Sequence, residues 1–149
     1  MAKLIFIFLR FGFFWNNNIE QRACQQSPIP FEFIRDFPIK IDGGCSFYTF
    51  DTTSLSNNKF ILVVSAHKTA FFQSNEKFVY LDHVSRKPTT NGYVDNFEGS
   101  GYRITIDVNK TKRIMNTHTE VAGTLRITKK QVIKTLAIHG INEEFEVNR

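Results

Sequence analysis

Apolar and polar residues alternate along much of this chain, in short runs separated by turn-forming residues. The clearest alternation lies between Tyr102 and Val108, where every second residue is apolar and the residues between them are polar. A period of two is the pattern of a β-strand that buries one face. This segment is therefore predicted to be a strand with one side on the hydrophobic core.

Similar short runs predict further strands and no helix, because no window carries a helical apolar stripe with capping residues. Turn signals such as Asp42-Gly43-Gly44 and Ser74-Asn75 separate the runs, and residues 86–101 are predicted to be the longest irregular stretch. The predicted strands are residues 31–41, 45–50, 60–64, 69–73, 77–81, 102–108, 121–128 and 131–138.

About seven or eight strands at this spacing predict an all-β fold, a single antiparallel sandwich or barrel, because an open sheet would leave adhesive edges. The 149 residues include 16 Phe, a residue that favours strands. No linker or internal repeat divides the chain. Residues 24–149 are therefore predicted to form one β domain.

The N-terminal residues 1–23 have a different character. Lys3 precedes a dense apolar run that Arg10 interrupts and that ends at Asn16. The run is too short to span a bilayer but has the length of a secretory apolar segment. A targeting segment is favoured, and an N-terminal element of the fold and a mis-assigned start are the alternatives. Membrane contact is expected only through this segment.

The two cysteines, Cys24 and Cys45, stand twenty-one residues apart in the sequence. They form no Cys-x-x-Cys pair and have no histidine at metal-ligand spacing, so no metal site is expected. A disulfide between them would fit an oxidising compartment, and two separate thiols are the alternative. The four histidines are scattered and are expected to be exposed near turns and strand ends. No nucleophile motif or phosphate loop is present, so neither a catalytic site nor a cofactor is predicted.

Two groups of residues are the candidates for binding. Tyr93 and Phe97 fall in the predicted irregular stretch and either contact a partner or fold back onto the core. The net charge is +5, and basic residues concentrate around the predicted turn at Lys129-Lys130. That basic group is either a solvated surface or an anion-binding surface. Nucleic acid is disfavoured because no aromatic RNA-binding motif, zinc finger or basic helix occurs. The candidate basic residues are Arg126, Lys129, Lys130 and Lys134.

A resemblance to known proteins rests on the order of these strands. The segments that carry it are Cys45-Ser-Phe-Tyr48, the apolar run 59–65, Phe78-Val-Tyr-Leu81, Gly101-Tyr102, residues 123–127 and Ile138-His139-Gly140. Across residues 34–140 the chain resembles small bacterial envelope proteins, often lipoproteins. The resemblance implies export and a β fold, and no activity. The predicted function is that of a non-enzymatic binding or structural accessory protein of the envelope, with an unknown protein or glycan as partner. The resemblance assigns no functional residue, and a cytoplasmic location is the alternative.

A second similarity is to periplasmic lysozyme inhibitors, which are small β-barrels with a cysteine-aromatic strand. Their Ser-Ala-Ser-Gly-Ala loop, which enters the lysozyme cleft, has no equivalent in this sequence. Because this loop is missing, inhibition of a secreted hydrolase is kept only as the alternative function.

Overall fold

Eight β-strands make up most of the computed structural model, which describes residues 29–39 and 44–144. A short 3₁₀ helix, Leu55–Asn57, follows the first strand. The strands are β1 (Ser46–Phe50), β2 (Leu62–Val64), β3 (Thr69–Ser74), β4 (Lys77–Thr89), β5 (Gly92–Gly99), β6 (Tyr102–Arg113), β7 (His118–Lys129) and β8 (Val132–Glu143). No helix in the described part of the chain is long and apolar enough to cross a membrane.

The strands close into a barrel. Each strand pairs antiparallel with the next one in sequence, and β8 returns to pair with β1. At this closing seam Tyr48 lies opposite Gly140, and Phe50 lies opposite Ile138. The predicted all-β fold of seven or eight strands is confirmed, and a barrel is the form that it takes. Closure lets β1 and β8 satisfy each other's backbone groups, which would otherwise form two free edges.

The residues that line the barrel interior are every second residue of the strands, as the alternation in the sequence predicts. Along β6 the buried residues are the predicted Tyr102, Ile104, Ile106 and Val108, and the intervening residues face outward. Their partners in the neighbouring strands, such as Phe97 and Ile127, are also fully buried. The alternation in the sequence is therefore the alternation between the barrel core and its outer surface.

Tight turns join most of the strands. Asn75 and Glu76, between β3 and β4, have φ values of 52° and 60°, and Lys130 and Ser100 have similar values in later turns. Two-residue turns of this left-handed kind match the twist of antiparallel hairpins. The predicted turns at Ser74-Asn75 and Lys129-Lys130 are therefore correct to within one residue.

The prediction of an irregular stretch at residues 86–101 is wrong. These residues form the end of β4 and the whole of β5. Two features hide the strand pattern: a β-bulge between His83 and Ser85 shifts the alternation, and the inward positions of Arg86 and Asp95 are charged rather than apolar. A pattern search for alternating apolar residues does not recognise such a strand.

The predicted first strand, residues 31–41, is also not a regular strand where the structure describes it. Residues 29–39 form an extended segment that joins the sheet through isolated bridges at Glu32 and Ile34. The Glu32 carboxylate accepts hydrogen bonds from the Glu76 backbone N–H in the β3–β4 turn. Residues 40–41 and the predicted targeting segment 1–23 lie outside the described residues.

The extended segment covers two parts of the barrel. At one end Ile29 is buried in the core and the Phe31 ring lies 5.0 Å from that of Phe72. On the outer face of the first three strands, a second apolar cluster packs under the same segment. Its buried members are Ile34, Cys45, Phe47, Val63 and Phe71. Much of the high phenylalanine content thus serves a barrel with apolar residues on both faces of β1–β3.

Candidate ligand-binding site at the polar end of the barrel

The predicted binding residues Tyr93 and Phe97 are not on a loop. Both lie on β5 and face the barrel interior, opposite Val108 and Ile104 of β6. Phe97 has no exposed surface, and its ring lies 5.3 Å from that of His83. Phe97 therefore cannot meet a partner at the surface of the folded barrel, whereas Tyr93 belongs to a polar cluster described below.

The four candidate basic residues do not form one cluster. The Lys129 ammonium donates a hydrogen bond to the Tyr102 hydroxyl at 2.7 Å, and the Lys134 ammonium donates one to the Ile29 carbonyl at 3.0 Å. Arg126 and Lys130 are exposed to solvent. The four residues therefore fall into two groups. Lys129 and Lys134 are hydrogen-bonded at the end of the barrel that Ile29 and Phe31 close, and Arg126 and Lys130 face water.

The cysteine and metal predictions concern residues that the structure only partly describes. Cys45 is buried directly before β1, and Cys24 lies outside the described residues. Within residues 29–39 and 44–144, no group of three or more potential metal ligands comes together. The disulfide between Cys24 and Cys45 stays a prediction.

Charged and polar side chains collect at the end of the barrel opposite Ile29 and Phe31. An ion pair between Arg86 of β4 and Asp95 of β5 is the centre of this group, which we call the polar end. The Arg86 Nε donates to Asp95 Oδ1 at 2.7 Å, and Nη2 donates to Oδ2 at 2.5 Å. The Asp95 side chain is 1% exposed and that of Arg86 is 51% exposed. The hydrogen bonds to Asp95 raise the pKa of Arg86, so its guanidinium stays charged.

His83 approaches the same carboxylate from β4. Its Nε2 lies 3.5 Å from Asp95 Oδ1, and its side chain is mostly buried. The β-bulge between His83 and Ser85 lets both His83 and Arg86 point into the barrel, because it adds one residue between them. The expectation that the histidines are exposed is wrong for His83.

Two tyrosines and an asparagine complete the polar end. The Tyr48 and Tyr93 hydroxyls are 2.9 Å apart, and Asn142 Nδ2 donates to the Tyr93 hydroxyl at 2.9 Å. The Arg86 guanidinium lies 4.1 Å from the centre of the Tyr93 ring, within cation–π distance. Burial raises the pKa of Tyr48 well above its ordinary value, so its hydroxyl stays neutral.

A cavity of about 240 Å³ opens above this cluster. It lies between the β2–β3 turn and the ends of β1, β4 and β8. The side chains with donors along its wall are Ser46, Ser65, Lys68, His83, Arg86 and Asn142. Glu143 and Glu144 also line the cavity, and the Glu143 carboxylate lies 3.6 Å from His118.

The histidines near this cavity have different partners: His83 lies beside Asp95, and His118 Nδ1 lies 2.9 Å from the Thr117 hydroxyl oxygen. No hydrogen bond joins His83 to a serine or threonine hydroxyl in the part of the chain that the structure describes. The Ser65 hydroxyl oxygen instead accepts a hydrogen bond from the Thr69 backbone N–H, which orders the β2–β3 turn. No protein-family profile, curated protein or solved structure matches this chain.

The polar end was missed in the sequence because its residues come from four different strands. One signal points toward it: Asn91-Gly92 is a strong hairpin turn sequence. A turn centred on that dipeptide would pair Arg86 with Phe97, whereas the turn at Thr90-Asn91 pairs Arg86 with Asp95. The position of the turn, at residues 90–91 or at residues 91–92, thus decides whether the Arg86–Asp95 ion pair can be predicted from the sequence.

Proposed function

We propose that this chain is a non-enzymatic binding protein whose polar end holds a small polar ligand. The observation that carries the proposal is the position of Arg86. Its guanidinium binds a fully buried carboxylate on one side and lines the cavity on the other, with half of its side chain exposed. An arginine held in this way is a preorganised donor for a ligand, since its orientation no longer has to be selected on binding.

The contrast between the two barrel ends supports this assignment. A buried ion pair is often no more stabilising than apolar residues of the same volume, because both charges must be desolvated. The other end of the same barrel is closed with Ile29, Phe31 and Phe72. Apolar closure is thus available to this fold, and the polar residues at the second end are better explained by recognition than by stability.

The wall of the cavity favours a ligand with hydrogen-bond acceptors. Lys68 and the remaining guanidinium N–H groups of Arg86 supply positive donors, and the carboxylates of Glu143 and Glu144 supply acceptors on the same wall. A volume of 240 Å³ corresponds to roughly eight water molecules. The expected ligand is a small carboxylate that also carries hydroxyl groups, either a hydroxy acid or an acidic sugar, because its hydroxyls can donate hydrogen bonds to Glu143 and Glu144.

The location follows from the N-terminal residues rather than from the barrel. We place the protein in the cell envelope, periplasmic or at the surface, on the evidence of the charged and then apolar run in residues 1–15. An acidic sugar from an envelope glycan has the chemistry that the cavity requires.

Thermal unfolding with a panel of small carboxylates and acidic sugars tests the proposal. A ligand that binds only the folded state stabilises it by RT ln(1 + [L]/Kd), so the unfolding temperature should rise with the logarithm of the ligand concentration once that concentration exceeds Kd. The Ser46→Phe variant places a ring in the cavity without removing Arg86 or Asp95, and should abolish the shift. Thr124→Phe is the matched control, because Thr124 is exposed on the outer face of β7 and should keep the shift.

Two outcomes would reject the proposal: no member of the panel shifts the unfolding temperature, or Ser46→Phe and Thr124→Phe behave alike. The alternative function, inhibition of a secreted hydrolase, stays a prediction. A lysozyme inhibition assay with the purified chain tests it directly.

A further inference from the structure

Strand β6 extends beyond the strand that flanks it on one side. Its pairing with β5 ends where Tyr93 meets Val108, but β6 continues to Arg113. Over that last part it pairs with β7, from Lys110 opposite Ala122 to Arg113 opposite Thr119. No strand within the described residues pairs with the other side of residues 110–113. These four residues, here named the β6 edge, leave about 13 Å of sheet edge open.

The β6 edge is held in a defined shape. The Arg113 Nε donates to the Met115 carbonyl at 3.3 Å, and its Nη2 donates to the Asn116 carbonyl. The Ile114 backbone N–H donates to the His118 carbonyl at 3.0 Å, which closes the hairpin. A partner strand would therefore meet a template whose backbone is already extended and ordered.

The charge of the β6 edge is strongly positive. Lys110, Lys112 and Arg113 are exposed, and none forms an ion pair within 4.0 Å in the described part of the chain. Glu120, across from Lys112 on β7, is the single acidic residue in the sequence from Asn109 to Ala122. Lys112 thus faces one carboxylate, whereas Lys110 has none across from it, because its neighbour on β7 is Ala122.

Space for a further strand exists beside this edge. A cavity of about 580 Å³ separates residues 109–111 from the β4–β5 turn. A second one, of about 510 Å³, lies on the outer face and is lined by Lys110, Lys112 and the 3₁₀ helix. An added strand would start in the first cavity, and the second cavity, over β6, β7 and β8, leaves room for the Lys110 and Lys112 side chains to adjust to it.

We propose that the β6 edge binds an extended, acidic segment of a partner protein by adding it to the sheet as a further strand. Backbone hydrogen bonds supply the pairing, and carboxylates on one face of the segment meet Lys110 and Lys112, which lie on the same face of β6. A second copy of this chain is a poor occupant, because pairing two such edges would bring like charges together. The exposed Ile114 and Met115 at the hairpin tip offer an apolar contact at the end of the added strand.

The competing explanation is that the cations only protect the edge from aggregation, as lysines at sheet edges commonly do. The two explanations predict different behaviour toward an acidic strand. Protection predicts no site-specific binding, whereas strand addition predicts binding that depends on both backbone and charge.

The test uses the full chain and a synthetic peptide of alternating Glu and Val residues. Fluorescence anisotropy should show saturable binding, and amide hydrogen exchange should slow at residues 110–113. A peptide of the same charge with Pro at the Val positions should bind more weakly, because each Pro lacks a backbone N–H and its ring fixes φ away from the value of an extended antiparallel strand. Lys110→Gln with Lys112→Gln should weaken binding about five-fold or more.

The matched control replaces Lys77 and Lys87 with Gln, since both are exposed lysines on β4. It removes the same net charge and should change the affinity by less than about two-fold. The proposal is overturned if the proline peptide binds equally well, if both double variants weaken binding alike, or if exchange slows only at the polar end. Failure of the carboxylate panel at the polar end would leave this result unaffected, because none of residues 110–113 lines the polar-end cavity.

Discussion

Arg86 and Asp95 lie opposite each other in the register of β4 and β5, joined by two hydrogen bonds, although only Arg86 reaches solvent. This asymmetry determines what substitution should do. Removing Arg86 leaves a carboxylate buried without its partner, whereas removing both residues leaves no charge to bury.

We expect Arg86→Met to lower the free energy of unfolding by about 3 kcal/mol, the lower end of the usual range, because Arg86 is half exposed and water can reach the site. The double variant Arg86→Met with Asp95→Leu should recover most of this loss. Urea denaturation of the three proteins measures both effects. A double variant that is less stable than Arg86→Met would contradict the assignment of the loss to Asp95.

Tyr48 should make the barrel sensitive to alkali. Burial raises its pKa, so the folded state keeps a proton that the unfolded state releases above about pH 10. The contribution of this group to stability is therefore complete below pH 10 and is lost as the pH rises above that value. The limiting slope is about 1.4 kcal/mol per pH unit.

The Tyr48→Phe variant tests this expectation, because it removes the titrating group and retains the ring. Its stability should fall less steeply than that of the wild type above pH 10. Ultraviolet absorbance of tyrosinate should show the same number of tyrosines titrating before unfolding in both proteins. One fewer in the variant would mean that Tyr48 ionises in the folded barrel.

The closing seam should be intolerant of a side chain at Gly140. A Cβ atom there would lie 2.1 Å from the Phe47 carbonyl oxygen and 3.0 Å from the Tyr48 ring. We expect Gly140→Ala to destabilise the barrel by about 1–3 kcal/mol, as overpacked cores do. Gly101→Asn is the control, since its site has no atom within 4 Å and asparagine tolerates its φ of +75°. Equal stabilities of the two variants in urea would contradict the close approach of β8 to β1.

Lys134 should contribute to the folding stability of the barrel, whereas Lys130 should contribute only to the charge of its surface. The Lys134 ammonium donates to the Ile29 carbonyl and lies 5.8 Å from the centre of the Phe31 ring. Lys134→Met should therefore cost about 1 kcal/mol, whereas Lys130→Met should cost nearly nothing. Heparin retention gives the reverse comparison, because Lys130→Gln, which removes one water-facing cation, should lower the eluting salt concentration more than Lys134→Met, which removes one hydrogen-bonded cation. A larger effect of Lys134→Met on the column would contradict this division.

A truncation series should separate the targeting prediction from the barrel. Deletion of residues 1–23 is expected to leave thermal stability nearly unchanged. Ile29→Ala in the full chain should cost about 2–5 kcal/mol, because Ile29 is buried in the core at the apolar end. Loss of cooperative unfolding on deletion of residues 1–23 would show that this segment is structural.

The barrel strands whose inward residues are apolar could be read from the sequence. Tyr102 to Val108 alternates because the core accepts apolar side chains and water accepts the polar ones, and this requirement is local to each strand. The β3–β4 and β7–β8 turns could also be located locally, from the polar residues that separate the apolar runs. The alternation rule failed for β5, because Asp95 faces inward there and carries a charge.

Three features were determined by the tertiary structure alone. They are the pairing of Asp95 with Arg86, the closure of β8 onto β1, and the difference between the hydrogen-bonded and the exposed basic residues near Lys130. Each depends on register between strands, and a shift of one residue turns every side chain to the opposite face. Arg86 is paired with Asp95 because the turn is at Thr90-Asn91, and Lys134 reaches Ile29 across 105 positions of sequence. No local pattern encodes such distances, since the contacts form only when the closed sheet brings the strands together.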